Sequence, residues 1–173
     1  AVLVTLHDGA FKVWDPKARS LKAEFTVEAD LGIGTPLTLS DDGAILAAGS
    51  NAIRETENAI RLWDTRSGKL LGVCQGHTQG VRWLAFAPDA ETLASVSDDS
   101  TLRFWNVRTQ QELLSIQRIA DPIREIFFSS DGPWLAFKTK SGLRLLDGSH
   151  PADPPGGIEQ RISPPDKQTK SHD

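Results

Sequence analysis

The chain is 173 residues long, with 19 basic and 23 acidic side chains and a formal net charge of −4. With its 14 glycines the apolar share reaches roughly 47%, the level of a folded globular chain, which excludes a largely disordered one. No apolar run approaches the ~18 residues of a spanning helix, the acidic balance argues against nucleic acid as partner, and a lone Cys74 excludes a disulfide framework or a Cys-based zinc site.

The elements predicted along the chain are short strands. The first covers residues 2–6 and leads to Trp14-Asp15. Leu39-Ser40-Asp41-Asp42-Gly43 signals a turn before a strand near 44–50. Residues 51–58 form an insertion, and a strand near 59–63 follows, ending at Trp63-Asp64. Ser67-Gly68-Lys69 reads as a turn and not a phosphate loop. Gly32-Ile-Gly34 lacks the third glycine and the helix of a dinucleotide site. Cys74 lies in an apolar strand, buried and inert. Strands then fall near 81–86, 92–97, 101–105 and 112–117, and again near 133–138 and 142–146. Runs this short, rich in β-formers and separated by Pro, Asp, Gly and Ser, read as antiparallel sheet.

These strands recur with a period. Trp14-Asp15, Trp63-Asp64, Trp105-Asn106 and Leu146-Asp147 are spaced by 49, 42 and 41 residues. The Leu39–Gly43 signal matches Phe86-Ala87-Pro88-Asp89-Ala90 and Phe128-Ser129-Ser130-Asp131-Gly132. Each is followed three residues later by Leu-Ala, at Leu46-Ala47, Leu93-Ala94 and Leu135-Ala136. Two independent landmarks sharing one period identify internal repeats. The units cover about 1–30, 31–75, 76–118 and 119–149. A weak further strand falls at 157–163, and 150–173 is a Pro-rich polar tail expected to be disordered. The chain has no methionine and starts inside an apolar run, so a piece of a longer protein is expected.

Gly76-His77 followed by Trp105-Asn106 resembles the Gly-His … Trp-Asp signature of WD40 repeats, with Asn in the place of the last Asp. The resemblance covers about 1–147. It is strongest in the third unit and weakest in the fourth. It implies an all-β fold of propeller blades, each a four-stranded antiparallel sheet. The first unit would lack its innermost strand, and an open arc from a larger propeller, with the rest missing, is the expected architecture. Such blades stabilise one another side by side.

A His near an Asp and a Ser invites a hydrolase triad. The resemblance implies instead a structural hydrogen-bonded tetrad of His77, Asp99, Trp105 and a strand serine, Ser95 or Ser97. Asp8 and Trp14 take the corresponding places in the first unit. Where His77 and Asp99 stand, the second unit has Asp30 and Glu57. A metal site is not expected, because His7, His77, His150 and His172 lack ligand spacing. No cofactor is expected either.

The resemblance also places Arg82, Arg124 and Thr35 at the mouth of the central channel. Two arginines on adjacent blades would present planar donors to a carboxylate or phosphate of a partner. The alternative is a pair of solvated arginines, or salt bridges to Asp121 or Glu125. The insertion, with Arg54, Glu55 and Glu57, is either a candidate specificity loop or a tolerated extension. Trp83 and Trp134 either pack between blades or lie at a rim. The expected function is a non-catalytic scaffold or adaptor holding an acidic protein or peptide, without nucleic acid or membrane, in the cytoplasm. A regulatory segment of a multidomain signalling protein, or a propeller enzyme with a channel-mouth site, are the alternatives.

Overall fold

The structure, a computed structural model, describes residues 2–7, 9–26, 34–50, 58–117, 119, 121–130 and 134–147. The second-unit insertion at 51–57, Asp30, Asp8, the candidate strand at 157–163 and the tail lie outside the described residues. Among the described residues every regular element is a strand. Blade 1 consists of β1 (Leu3–His7), β2 (Ala10–Asp15) and β3 (Ser20–Thr26). Blade 2 consists of β4 (Leu37–Leu39), β5 (Ile45–Gly49), β6 (Ile60–Asp64) and β7 (Leu70–Cys74). Blade 3 consists of β8 (Val81–Phe86), β9 (Thr92–Ser97), β10 (Leu102–Asn106) and β11 (Glu112–Ile116). Blade 4 consists of β12 (Ile123–Phe128), β13 (Trp134–Thr139) and β14 (Leu143–Asp147). Each blade is an antiparallel meander in chain order. These are WD40-type blades. Among the described residues blade 1 has three strands, β1-β2-β3.

The repeat is visible in the register. Leu93 opposes Trp105, Leu3 opposes Trp14, Leu46 opposes Trp63 and Leu135 opposes Leu146. Because side chains alternate across a strand, each blade offers one apolar face to the blade before it and another to the blade after it. Leu46, Ala48 and Trp63 of blade 2 pack with Val4, Leu6, Phe11 and Phe25 of blade 1. The opposite face of blade 2, with Ala47, Ile60 and Leu62, packs with Leu84, Phe86, Leu93 and Trp105 of blade 3. Ala94, Val96, Leu102 and Phe104 then meet Ile123, Ile126, Leu135 and Phe137 of blade 4. The core is thus three seams between sheets, and a fully buried Leu62 or Leu93 contributes about 1.5–3 kcal/mol relative to exposure.

The seams are close. A Cβ on Gly49 would lie 2.7 Å from Val81 Cβ of the next blade, and the Val81 amide donates across that seam to the Ser50 carbonyl at 3.0 Å. The four sheets do not close into a ring: Leu3 on blade 1 and Leu145 on blade 4 are both exposed.

The acid of each Trp-acid pair has a local task. Asp15 Oδ1 accepts from the Lys17 and Ala18 amides, Asp64 Oδ1 from the Ser67 amide and hydroxyl, and Asn106 Oδ1 from the Thr109 amide and hydroxyl. These are Asx turns between the last two strands of blades 1, 2 and 3. One side-chain oxygen suffices for each, which is why Asn serves at position 106.

The blade tetrad and a candidate binding surface

In blade 3, β9 and β10 set Ser95 and Trp105 on the face turned to blade 2, and the flanking loops bring in His77 and Asp99. Trp105 Nε1 donates to Ser95 Oγ at 2.8 Å, and Ser95 Oγ lies 2.7 Å from His77 Nε2. His77 Nδ1 lies 2.9 Å from Asp99 Oδ2. The Asp99 carboxylate can only accept, so the neutral imidazole carries its proton on Nδ1, facing Asp99, and its Nε2 accepts the Ser95 proton. The Thr78 amide donates to Asp99 Oδ2 at 3.0 Å, and the Thr101 hydroxyl to Asp99 Oδ1 at 2.6 Å. Arg103 closes the set, donating to Thr101 Oγ1 at 3.2 Å and to Glu112 Oε2 at 2.7 Å.

The electrostatics follow from burial. Desolvation lowers the His77 pKa, against the opposing pull of the Asp99 carboxylate. Burial works to raise the Asp99 pKa, but bonds from Thr101, the Thr78 amide and His77 outweigh it and hold the carboxyl at about 2. The Asp99–His77–Ser95 line has the spacing of a hydrolase triad, yet Ser95 is 0% exposed and its proton is committed to His77. A substrate carbonyl has no route to its oxygen.

Of the two candidate serines, Ser95 joins the tetrad and Ser97 does not. Ser97 Oγ donates to the Gln79 carbonyl at 2.9 Å and accepts the Asp99 amide at 3.1 Å, so it secures the loops that carry His77 and Asp99. In blade 1, Trp14 Nε1 donates to Thr5 Oγ1 at 3.1 Å. Thr5 was missed in the sequence reading. The register equates it with Ser95, since each lies two residues after the leucine opposite the Trp. Ala48 takes that place in blade 2, where Trp63 instead packs on the Phe11 ring at 5.5 Å. Cys74 is buried, which pushes its thiol up to about 12.

Arg82 and Arg124 share an unusual backbone position. Val81 opposes Ser97 and Trp83 opposes Val96, which leaves Arg82 as an extra residue. Ile123 opposes Thr139 and Glu125 opposes Lys138, which leaves Arg124 as another. Each arginine is therefore the bulged residue of an inner strand, and bulges re-aim side chains. Both are exposed. Arg82 does not pair with Asp121 or Glu125, the partners considered from sequence. It forms a fork with Asp98, with Nε 2.8 Å from both carboxylate oxygens and a terminal nitrogen 2.6 Å from Oδ2. Asp121 instead accepts the Ser141 amide, and Glu125 lies 3.8 Å from Lys138. The Arg124 guanidinium pairs with no described residue. Thr35 is half-buried ahead of β4, which pairs with β5 without a bulge. Trp83 and Trp134 are both exposed, and Trp134 lies on the face of blade 4 that carries Ala136 and Leu145, turned away from blade 3. Arg54, Glu55 and Glu57 lie outside the described residues.

Residues 68–106 match the WD40 family model, described as "WD domain, G-beta repeat". The chain is 34% identical over 128 residues to "DENN domain and WD repeat-containing protein SCD1" of Arabidopsis thaliana, covering 74% of this chain and 10% of that protein. It is 36% identical over 136 residues to "WD repeat-containing protein 90" of Mus musculus, covering 77% and 6%. It is 30% identical over 102 residues to "Nuclear distribution protein PAC1" of Arthroderma benhamiae, covering 58% and 22%. The chain thus spans between 6% and 22% of these relatives' lengths. With a matched repeat at 68–106 and four sheets of one shared register, the chain belongs to the WD40-repeat family.

Proposed function

We propose that this chain is a non-catalytic interaction scaffold that holds an acidic protein or peptide segment on its rim and channel mouth. WD-repeat relatives support the scaffold role in general terms. The observation that carries the finer reading is the pair of bulged arginines at equivalent places in adjacent blades. Arg82 is held in a fixed pose by Asp98, and Arg124 keeps its full hydrogen-bonding capacity for an incoming carboxylate or phosphate. Trp83 and Phe127, exposed on the same two inner strands, add apolar contact area. Thr35 and the 51–57 insertion, with Arg54, Glu55 and Glu57, extend this reading to blade 2.

The test is an array of acidic and phosphorylated peptides titrated against the chain and its variants. Arg124→Ala should weaken the best binder roughly tenfold or more, the scale of a lost charge-assisted bond. Its melting temperature should stay within a degree or two. Unchanged affinity in the Arg82→Ala/Arg124→Ala double variant removes the reading.

A second reading, a regulatory segment of a larger signalling protein, draws on the small share that this chain makes up of relatives such as the DENN-domain protein. A channel-mouth enzyme draws no support from Asp99, which is engaged in the tetrad.

A further inference from the structure

Blades 3 and 4 carry the same inner-strand bulge with opposite charges beside it. In blade 3, Val81 opposes Ser97, Arg82 is the bulged residue, and Asp98 is the first residue after β9. In blade 4, Ile123 opposes Thr139, Arg124 is the bulged residue, and Lys140 is the first residue after β13. Lys140 therefore stands at the place from which Asp98 grips Arg82, both of its carboxylate oxygens 2.8 Å from Nε. Asp98 belongs to the same blade as Arg82, so the contrast is internal to each blade and does not depend on what precedes or follows the described strands.

The carboxylates of blade 4 nearest in sequence to this second arginine are committed elsewhere. Asp121 accepts the Ser141 amide at 2.7 Å, and the Lys140 amide adds to the bonds on its carboxylate, so it holds the turn that carries Lys140. Glu125 lies 3.8 Å from Lys138. Arg124 and Lys140 are both exposed, and neither is ion-paired among the described residues. Where blade 3 has a neutralised pair, blade 4 thus offers a guanidinium fork and an ammonium. A single carboxylate would leave one of these two charges uncompensated. A phosphate monoester carries about −1.5 to −2 charge at pH 7 and three acceptor oxygens, which suits both.

We propose that Arg124 and Lys140 form the subsite for one phosphorylated serine or threonine side chain of the bound protein segment, while the Asp98–Arg82 pair keeps the equivalent position of blade 3 closed to anions. This rests on the reading that an acidic segment docks at the channel mouth, and it narrows that segment to a phosphorylated one. A nucleic acid strand would need a track of cations, whereas one phosphate on a protein segment fits two cations on a chain of net charge −4. Trp83, exposed beside Arg82, offers apolar surface to the residues that flank the phosphate.

The test is a peptide array in which each member is made with phosphothreonine, glutamate or threonine at its centre and titrated against the chain. The best phosphorylated member should bind at least about tenfold tighter than its glutamate form. Lys140→Asp, which copies blade 3, should remove that preference. Asp98→Lys, which copies blade 4, should open a second subsite. On addition of inorganic phosphate the Arg82 Nε–H resonance should shift in this variant, whereas in the wild type that of Arg124 shifts and that of Arg82 does not. Both substituted positions are exposed turn residues, and unchanged circular dichroism verifies the fold. Glutamate peptides that bind as well as phosphorylated ones, with Arg124→Ala still weakening both, overturn the phosphate subsite and leave the acidic-segment reading standing. Binding unchanged in the Arg82→Ala/Arg124→Ala double variant removes both. Inorganic phosphate that competes as tightly as the best peptide assigns the subsite to the free anion and overturns the proposal.

Discussion

Asp121 accepts the amide of Ser141 at 2.7 Å, and this joins the loop before β12 to the turn after β13. Blade 3 joins the same two loops with the roles exchanged, since there the turn residue Asp99 accepts the amide of the loop residue Thr78. The carboxylate has moved to the other loop while the bond between loops persists. Bonds from Ser141 and Thr139 lower the Asp121 carboxyl to about 2. Asp121→Ala should raise the amide exchange rate of Ser141 by about an order of magnitude and leave Thr78 unchanged. Nuclear magnetic resonance of both amides reads this directly, and unchanged Ser141 protection would refute the latch.

The tetrad makes a sharper demand on stability. Ser95→Ala strands two buried groups, the Trp105 indole N–H and His77 Nε2. Each unsatisfied group costs about 1–3 kcal/mol, so the variant should lose about 2–4 kcal/mol in urea titration at constant slope. Ser95→Thr keeps the hydroxyl and should lose less, as Thr5 holds the same place beside Trp14. Equal losses in the two variants would show that volume, not hydrogen bonding, governs the site.

The protonation of His77 sets a pH dependence. Its folded pKa lies below the ordinary 6.5, so the unfolded chain binds the extra proton first. Stability from this group is complete above 6.5 and is lost as pH falls toward the lowered folded value. Protonation would also set Nε2–H against Ser95, whose own proton would then lack its acceptor. Asp99 adds a second decline, between the ordinary 3.8 and about 2. The melting temperature should therefore drop between pH 7 and 5 in the wild type, and that slope should be absent in His77→Gln. A slope of equal size in both proteins would assign it to another group.

What the sequence reveals divides along physical lines. Strand positions and blade order were legible, because period-two alternation and turn residues are local and repeat four times. The third-blade landmarks His77, Asp99 and Trp105 were legible because each belongs to a spaced pattern. Ser95 and Ser97 are two residues apart on one strand and share a face, so only the register with Trp105 separates them. The pairing of Arg82 with Asp98 was not legible, because its pose depends on a bulge, and an extra residue in a ladder leaves no compositional trace. Asp121 was considered as a partner for an arginine, whereas its bond goes to a backbone amide, which no side-chain pattern announces. Thr5 was not singled out because only the register opposite Trp14 relates it to Ser95.

The Trp-acid turns predict tolerance of one change and not another. Asp64 uses one oxygen to hold the Ser67 amide and hydroxyl, as Asn106 does for Thr109. Asp64→Asn should cost less than about 0.5 kcal/mol, the range of neutral surface changes. Asp64→Ala removes both bonds and should cost about 1 kcal/mol. The carboxyl is held below its usual range mainly by the Ser67 hydroxyl and amide, so part of the wild-type advantage over Asp64→Ala should fade as pH falls below 3.8. Thermal unfolding of the three proteins at pH 7 and pH 3 separates these outcomes, and an Asn variant as unstable as the Ala variant would mean that charge is essential.

Ala90 offers a stabilising substitution. It sits at φ 58 in the turn between β8 and β9, and Gly43 holds the matching turn of blade 2 at φ 71. The left-handed region costs a residue with a Cβ about 1–2 kcal/mol. Asp89 already caps this turn through the amides of Glu91 and Thr92, and the Ala90 amide donates to the Ala87 carbonyl. The conformation is thus imposed by bonds that do not involve the Ala90 side chain. Ala90→Gly relieves the strain but lets the unfolded chain gain about 0.5–1 kcal/mol of entropy. The strain is the larger of the two, so the variant should gain about 0.5–1 kcal/mol and melt a few degrees higher. A lower melting temperature would mean that the turn tolerates its alanine without strain.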